Sequence, residues 1–173
     1  MSRKWNVSWI GAFAVFAGLL AYLSMPTFSF GDTSAVRAPA PGFELTSLDG
    51  KATTLADYSQ KVKVVNFWAT WCHACKIELP ALRAIHEKYK DKDVTVIGLS
   101  VDQNPADVVR FVEQTGIEYP VLVNAMETAR TYHLRATPTT IILDKDNKVY
   151  KKYVGVQGQG TFERDIEALL KSF

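Results

Sequence analysis

Val62-Lys63-Val64-Val65-Asn66-Phe67-Trp68 is a mostly apolar, β-branched run, and it ends four residues before the only two cysteines in the chain, Cys72 and Cys75. Such a run predicts a buried strand, central in a sheet. Beyond it the apolar spacing turns helical. Over residues 72–89, Ile77, Leu79, Leu82 and Ile85 are expected to form one inward face. Pro80 falls inside that stretch, and because the periodicity continues past it, a kink is expected rather than a stop. The handover from buried strand to helix therefore falls at the cysteine pair.

The other elements follow from the same patterns. Residues 43–46 and 51–55 read as short strands around a Leu48-Asp49-Gly50 turn, and 94–101 as a second buried strand. Asn104-Pro105 opens a helix carrying Val108, Val109, Phe111 and Val112 that ends at Thr115-Gly116. A short strand at 119–123 and a short helix at 126–132 come next. Residues 139–143 and 148–153 form a hairpin around Asp144 to Asn147, and an amphipathic helix at 161–172 turns Phe162, Ile166, Leu169 and Leu170 inward. This order implies an α/β sandwich, a mixed sheet covered by helices on both faces.

The chain's 173 residues, 47% hydrophobic and 22% charged, suit one globular domain plus an appendage. The appendage follows Arg3 and Lys4, where residues 5–31 carry no charge. Its apolar heart, residues 7–25, is close to the roughly 20 residues that cross a bilayer as a helix. Trp5, Trp9 and Tyr22 sit near its ends, where amphipathic rings favour the membrane interface. The preferred reading is an uncleaved signal anchor over 1–30, followed by a Pro-containing linker over 31–41 and the domain over 42–173. A cleaved signal peptide is the alternative, although no Ala-x-Ala follows and the best cleavage point is Thr27-Phe28-Ser29. Arg3 and Lys4 on the cytoplasmic side leave the domain outside, on the periplasmic or extracytoplasmic face. Of the 20 Lys and Arg residues, setting those two aside leaves 18 against 18 Asp and Glu, all beyond residue 31. A neutral domain has no field to gather nucleic acid, and nothing in it calls for more than a monomer.

Two cysteines three positions apart allow several chemistries. Zinc would need two further ligands, and His86 and His133 show no metal-ligand spacing. Haem attachment needs a His after the second cysteine, where Lys76 stands. A purely structural disulfide across so small a loop would constrain little chain entropy. A redox pair explains most: unpaired N–H groups at a helix start stabilise a thiolate. Cys72 is then the exposed nucleophile and Cys75 the shielded resolving thiol. No cofactor or metal is expected.

The stretch Val65-Asn66-Phe67-Trp68-Ala69-Thr70-Trp71-Cys72-His73-Ala74-Cys75-Lys76-Ile77-Glu78-Leu79-Pro80 resembles the active-site segment of the thioredoxin superfamily, most closely its membrane-anchored TlpA/ResA-like branch. The likeness runs from about Phe43 to the C-terminus. It implies a thioredoxin-like sandwich joined to one N-terminal transmembrane helix. It also implies that Thr137-Pro138 carries a cis proline packed against the disulfide, with Thr137 offering its backbone to an extended substrate. An ordinary strand-entry proline is the other reading. Asn66 stands where cytoplasmic thioredoxins have a buried Asp. Glu78, three residues after Cys75, matches the acid this branch uses to exchange the second thiol's proton; a helix-surface carboxylate is the alternative. Trp71, His73 and Ala74 complete the expected site. Trp68 and Trp71 are expected to frame it as packing surface. A protonated His73 would make the pair more oxidising, whereas an exposed His of ordinary pKa would matter little. His133, where relatives often carry Gly, is expected at the surface.

The resemblance implies a thiol:disulfide oxidoreductase acting on disulfides of exported proteins, apocytochrome c among them, with electrons from an integral membrane thiol transporter. Thr139 departs from the Glu of dedicated cytochrome-maturation members and weakens that substrate assignment. Alternatives are an oxidant or isomerase on the same fold, a peroxidase, and a copper-binding module. The peroxidase reading lacks the upstream Pro and Thr it needs. The copper reading lacks the wider Cys spacing and the His.

Overall fold

In the computed structural model, which describes residues 37–173, β3 (Val62–Trp68) is the spine of the sheet and all seven of its residues are buried. It lies between β4 (Val94–Ser100), to which it is parallel, and β6 (Thr139–Leu143), to which it is antiparallel. Outward from β4 come β5 (Val121–Val123), β1 (Glu44–Ser47) and β2 (Ala52–Thr54); outward from β6 comes β7 (Val149–Val154). The result is the mixed, seven-stranded sheet of a thioredoxin-like α/β fold.

Helix α1 (His73–Tyr89) links β3 to β4, and α2 (Pro105–Thr115) links β4 to β5. Both are crossovers between parallel strands stepping the same way along the sheet, so right-handedness sets both helices on one face. Trp68 of β3 accordingly packs on Phe111 of α2, with ring centroids 5.2 Å apart. The next residue back, Phe67, points to the other face and meets Tyr132 at 5.2 Å, just after α3 (Met126–Thr131). The last helix, α4 (Gln159–Leu170), lies against α1 through Lys88–Glu163 and a Tyr89–Glu167 hydrogen bond of 2.8 Å.

Local chemistry sets the helix ends. Asn104 caps α2 by accepting from the Ala106 N–H, Pro105 fills the first turn, and Gly116 closes it at φ 61°. Pro80 is accommodated within α1, which runs on to Tyr89. One sequence expectation fails in α1. Ile77 is 57% exposed, and the buried stripe is Cys75, Glu78, Leu82, Ile85 and Tyr89. The helical period places 78, not 77, in line with 82 and 85, but a glutamate there hides the stripe from a search for apolar residues.

Residues 37–41, read from sequence as the end of a linker, lie on the domain. Arg37 pairs with Asp144 at 3.2 Å and stacks on Tyr150, Val149 donates to the Ala38 carbonyl, and Ala40 donates to that of Asn147. Tyr132 Oη donates to the Pro41 carbonyl at 2.6 Å. The anchor read over residues 1–30 lies outside the described residues. Among those described, no helix is long and apolar enough to cross a membrane.

Ile85 is completely buried on the inward stripe of α1. Truncating it to Ala leaves a cavity, so Ile85→Ala is expected to cost about 2–5 kcal/mol of unfolding free energy, read as a lower denaturant midpoint.

Candidate active site

The turn after β3 brings the chain to Cys72 as the N-cap of α1. The first turn of a helix has N–H groups with no partner inside the helix. One of them, Cys75 N–H, points at Cys72 Sγ across 3.1 Å. The two sulfurs are joined in a disulfide. When that bond opens, the same amide and the helix dipole face a Cys72 thiolate and stabilise it.

The cysteines are not distinguished by exposure, which the sequence reading had expected. Cys72 is 7% exposed and Cys75 6%. Their neighbours differ instead. Cys72 Sγ lies 3.6 Å from the Thr137 carbonyl oxygen, and the Thr137–Pro138 peptide bond is cis. Next to it Trp71 is 68% exposed, too open to be packing surface. An open, largely apolar groove of about 180 Å³ runs from Trp71 past Met126 and Leu134 to Thr137. Cys75 instead lines a small internal cavity with Asn66, Trp68 and Tyr119.

Glu78 is completely buried, with no exposure at all. One turn beyond Cys75, it shares that residue's buried stripe. Its Oε2 accepts from Asn66 Nδ2 at 2.9 Å and from the Thr140 hydroxyl at 3.1 Å, and its Oε1 from the Gln157 N–H at 2.9 Å. Asn66 Nδ2 also donates to Thr140 Oγ1 at 2.9 Å, closing a ring of three side chains. Burial pushes the carboxyl pKa above its ordinary value, and the three donors only partly offset that. The surface-carboxylate alternative for Glu78 is therefore gone.

The loop before Cys72 is held by a residue that the sequence reading passed over. Asp102, just beyond β4, is 6% exposed. Its carboxylate accepts from the Thr70 N–H at 2.9 Å, the Thr70 hydroxyl at 2.6 Å and the Ser100 hydroxyl at 2.8 Å. Thr140 and Gln157 were missed too, because nothing local marks a β6 threonine or a loop N–H as partner to a helix acid. The remaining expected residues are spread around the pair: His73 is exposed, Ala74 and Thr137 half-buried, Pro138 buried. His133 is exposed at φ 51°, a left-handed position that glycine adopts most readily. Among the described residues no three potential ligands gather as a metal site.

Residues 36–152 match the AhpC/TSA family. The chain belongs to that family. Within it, this protein is 34% identical over 143 residues to the thiol-disulfide oxidoreductase ResA of Bacillus cereus, covering 82% of this chain and 83% of that one. A ResA of Bacillus anthracis is 37% identical over 125 residues, 72% of each chain. Among solved structures, a putative thiol:disulfide interchange protein DsbE from Chlorobium tepidum superposes with a TM-score of 0.73 at 29% identity, covering 78% of this chain and 96% of that one. A DsbF homologue from Corynebacterium diphtheriae gives 0.72 at 30%, with 79% and 89% covered. This AhpC/TSA member is a thiol:disulfide oxidoreductase, and Cys72–Cys75 is its CxxC pair.

A carboxyl whose folded pKa lies above its unfolded one favours folding fully only below the unfolded value. For Glu78 that reference is 4.5, and the contribution fades as pH rises through the folded value. The stability of the wild type relative to Glu78→Gln is therefore expected to fall as pH is raised from 4 towards 8, about 1.4 kcal/mol for each pH unit of separation between the two pKa values. Denaturant melts across that range read it. A difference that stays flat with pH would mean Glu78 ionises normally.

Proposed function

We propose that this oxidoreductase works as a reductant outside the cytoplasm, tethered by its N-terminal segment, and opens disulfides in exported proteins. Apocytochrome c is one substrate class that the resemblance implies. Electrons come from an integral membrane thiol transporter, and the working unit is a monomer. The observation that carries the reading is the Cys75 N–H aimed at Cys72 Sγ, with a buried acid one turn along the same stripe. The first favours a Cys72 thiolate as attacking group. The second supplies a carboxyl with raised pKa that can hold the proton of the second thiol.

The exchange runs in two displacements. Cys72 thiolate attacks a substrate disulfide, forming a mixed disulfide and expelling one substrate thiolate. Cys75, having given its proton to Glu78, then attacks Cys72 Sγ; the Cys72–Cys75 bond forms and the second substrate thiolate leaves. Thr137 lies beside Cys72, where its backbone can pair with an extended substrate segment, and the groove by Trp71 takes a neighbouring apolar side chain. Trp71, with His73 and Ala74, frames the point of approach. No metal or cofactor enters these steps.

The test is the reduction potential of Cys72/Cys75 in the full chain, equilibrated against glutathione or dithiothreitol. A value below about −200 mV is expected, in the range of reducing relatives; a value near about −120 mV belongs to strong oxidants and would reverse the direction of flow. The tether has its own check. Expressed in bacteria, the full chain is expected to fractionate with membranes and to be cut by protease added outside the cytoplasmic membrane. Deleting residues 1–36 should release it. A full chain that stays in the cytosolic fraction would overturn the tethering.

A further inference from the structure

The internal cavity behind Cys75 is a different environment from the open groove beside Cys72. It has room for about one water molecule, some 10 Å³. Asn66, Trp68, Cys75, Leu82 and Tyr119 are among its walls. A void bounded only by hydrocarbon stays dry, but this one is not so bounded. Trp68 is 4% exposed, and its Nε1–H is shut away from solvent without a protein acceptor in reach. Leaving such a donor unpaired is costly, and an indole nitrogen can do nothing but donate.

The remaining polar groups complement that donor. Asn66 commits Nδ2 to Glu78 and Thr140, so the atom it can offer the cavity is Oδ1, an acceptor. Cys75 Sγ is a weak acceptor in the disulfide and a strong one as thiolate. Burial holds the Tyr119 phenol far above its ordinary pKa, with the charge of Glu78 adding to the effect, so it stays neutral. The backbone also keeps the space open. A Cβ on Gly98 of β4 would lie 3.0 Å from Trp68 Nε1 and 3.2 Å from the Tyr119 ring, crowding two of the cavity's walls.

We propose that this cavity binds a single water molecule, which accepts from Trp68 Nε1–H and donates to Asn66 Oδ1 and to Cys75 Sγ. The assignment rests on Cys75 being the resolving thiol, and it gives that buried sulfur the solvation it otherwise lacks. When a donor thiolate attacks Cys72 Sγ, a new S–S bond forms, the Cys72–Cys75 bond breaks and the electron pair stays on Cys75. The water's O–H meets that charge as it develops. In the opposite direction the Cys75 thiolate, held by the same O–H, attacks Cys72 of the mixed disulfide and the substrate sulfur leaves with the electron pair. Trp68 is a positioning residue here, acting through the water.

A high-resolution crystal structure of the full chain in detergent tests the site directly. One ordered water is expected at about 2.7–3.2 Å from Trp68 Nε1. It should be absent from Gly98→Ala, whose methyl takes its space; a dry cavity in the wild type overturns the proposal. Its role is read by rapid acid quench and mass spectrometry of the mixed disulfide formed at Cys72 with a small aromatic disulfide. Trp68→Phe and Gly98→Ala are expected to slow resolution by Cys75 about tenfold, as befits the loss of a hydrogen bond to a charge, while capture at Cys72 keeps its rate. Circular dichroism and thermal melts confirm that each variant is folded; where one is not, the other and the wild-type density decide. Unchanged resolution in a folded variant that has lost the water removes the role. A wild type whose mixed disulfide never resolves would instead strike the exchange reading itself, whether or not the water is there.

Discussion

Much of this structure depends on a carboxyl group sealed under a helix. Glu78 has no contact with water, so its position is set by the three groups that donate to it: a β3 side chain, a β6 side chain and a loop N–H after β7. Moving any of those elements would strand a buried acid, at a cost of several kcal/mol if it were charged. The network therefore ties α1 to the two strands beneath it. It also ties the start of α1, where the cysteines are, to the C-terminal part of the sheet. The Gly155 N–H donates to the Pro138 carbonyl at 2.8 Å, so the loop that reaches Glu78 also holds the cis proline.

Around that fixed point the site has two sides. On the outer side stand Trp71, the groove and the Thr137 carbonyl, all near Cys72 and open to a macromolecular partner. On the inner side are the small Cys75 cavity and the buried polar ring of Asn66, Glu78 and Thr140. Equal burial of the two sulfurs conceals this difference. The first cysteine is defined by what can approach it, the second by what surrounds it. Asp102 contributes to the outer side by holding Thr70, two residues before Cys72.

The domain's connection to what precedes it follows the sheet as well. The turn between β6 and β7 lies at the end of β3 away from Cys72, since Lys63 pairs with Leu143 and Phe67 with Thr139. Arg37, Ala38 and Ala40 are held at that far end by Asp144, Asn147 and Val149. A stretch rich in Ala and Pro reads from sequence as a spacer, because its hydrogen bonds are supplied by residues 91 or more positions away.

Periodicity, turn chemistry and one short motif were enough to read the order of strands and helices, the central place of β3 and the cysteine pair at a helix start. Those features are local: a β-branched run, an Asn-Pro cap, a Cys-x-x-Cys spacing each act over a few residues. The family likeness extended that reading to Pro138 and to Glu78 as a candidate acid. What only the tertiary structure decided was which partners these residues have. Glu78 rather than Ile77 lies in line with Leu82 and Ile85, where two strands and a loop offer it donors, and a polar residue in an apolar stripe gives no periodic signal. Thr140, Gln157 and Asp102 acquire roles through contacts 32 to 79 residues apart in the chain. The sequence by itself determined the elements and the chemistry available; long-range packing determined which sulfur lies beside the Thr137 carbonyl and which lines the small cavity with Asn66 and Trp68, because burial and hydrogen bonding are properties of neighbours in space.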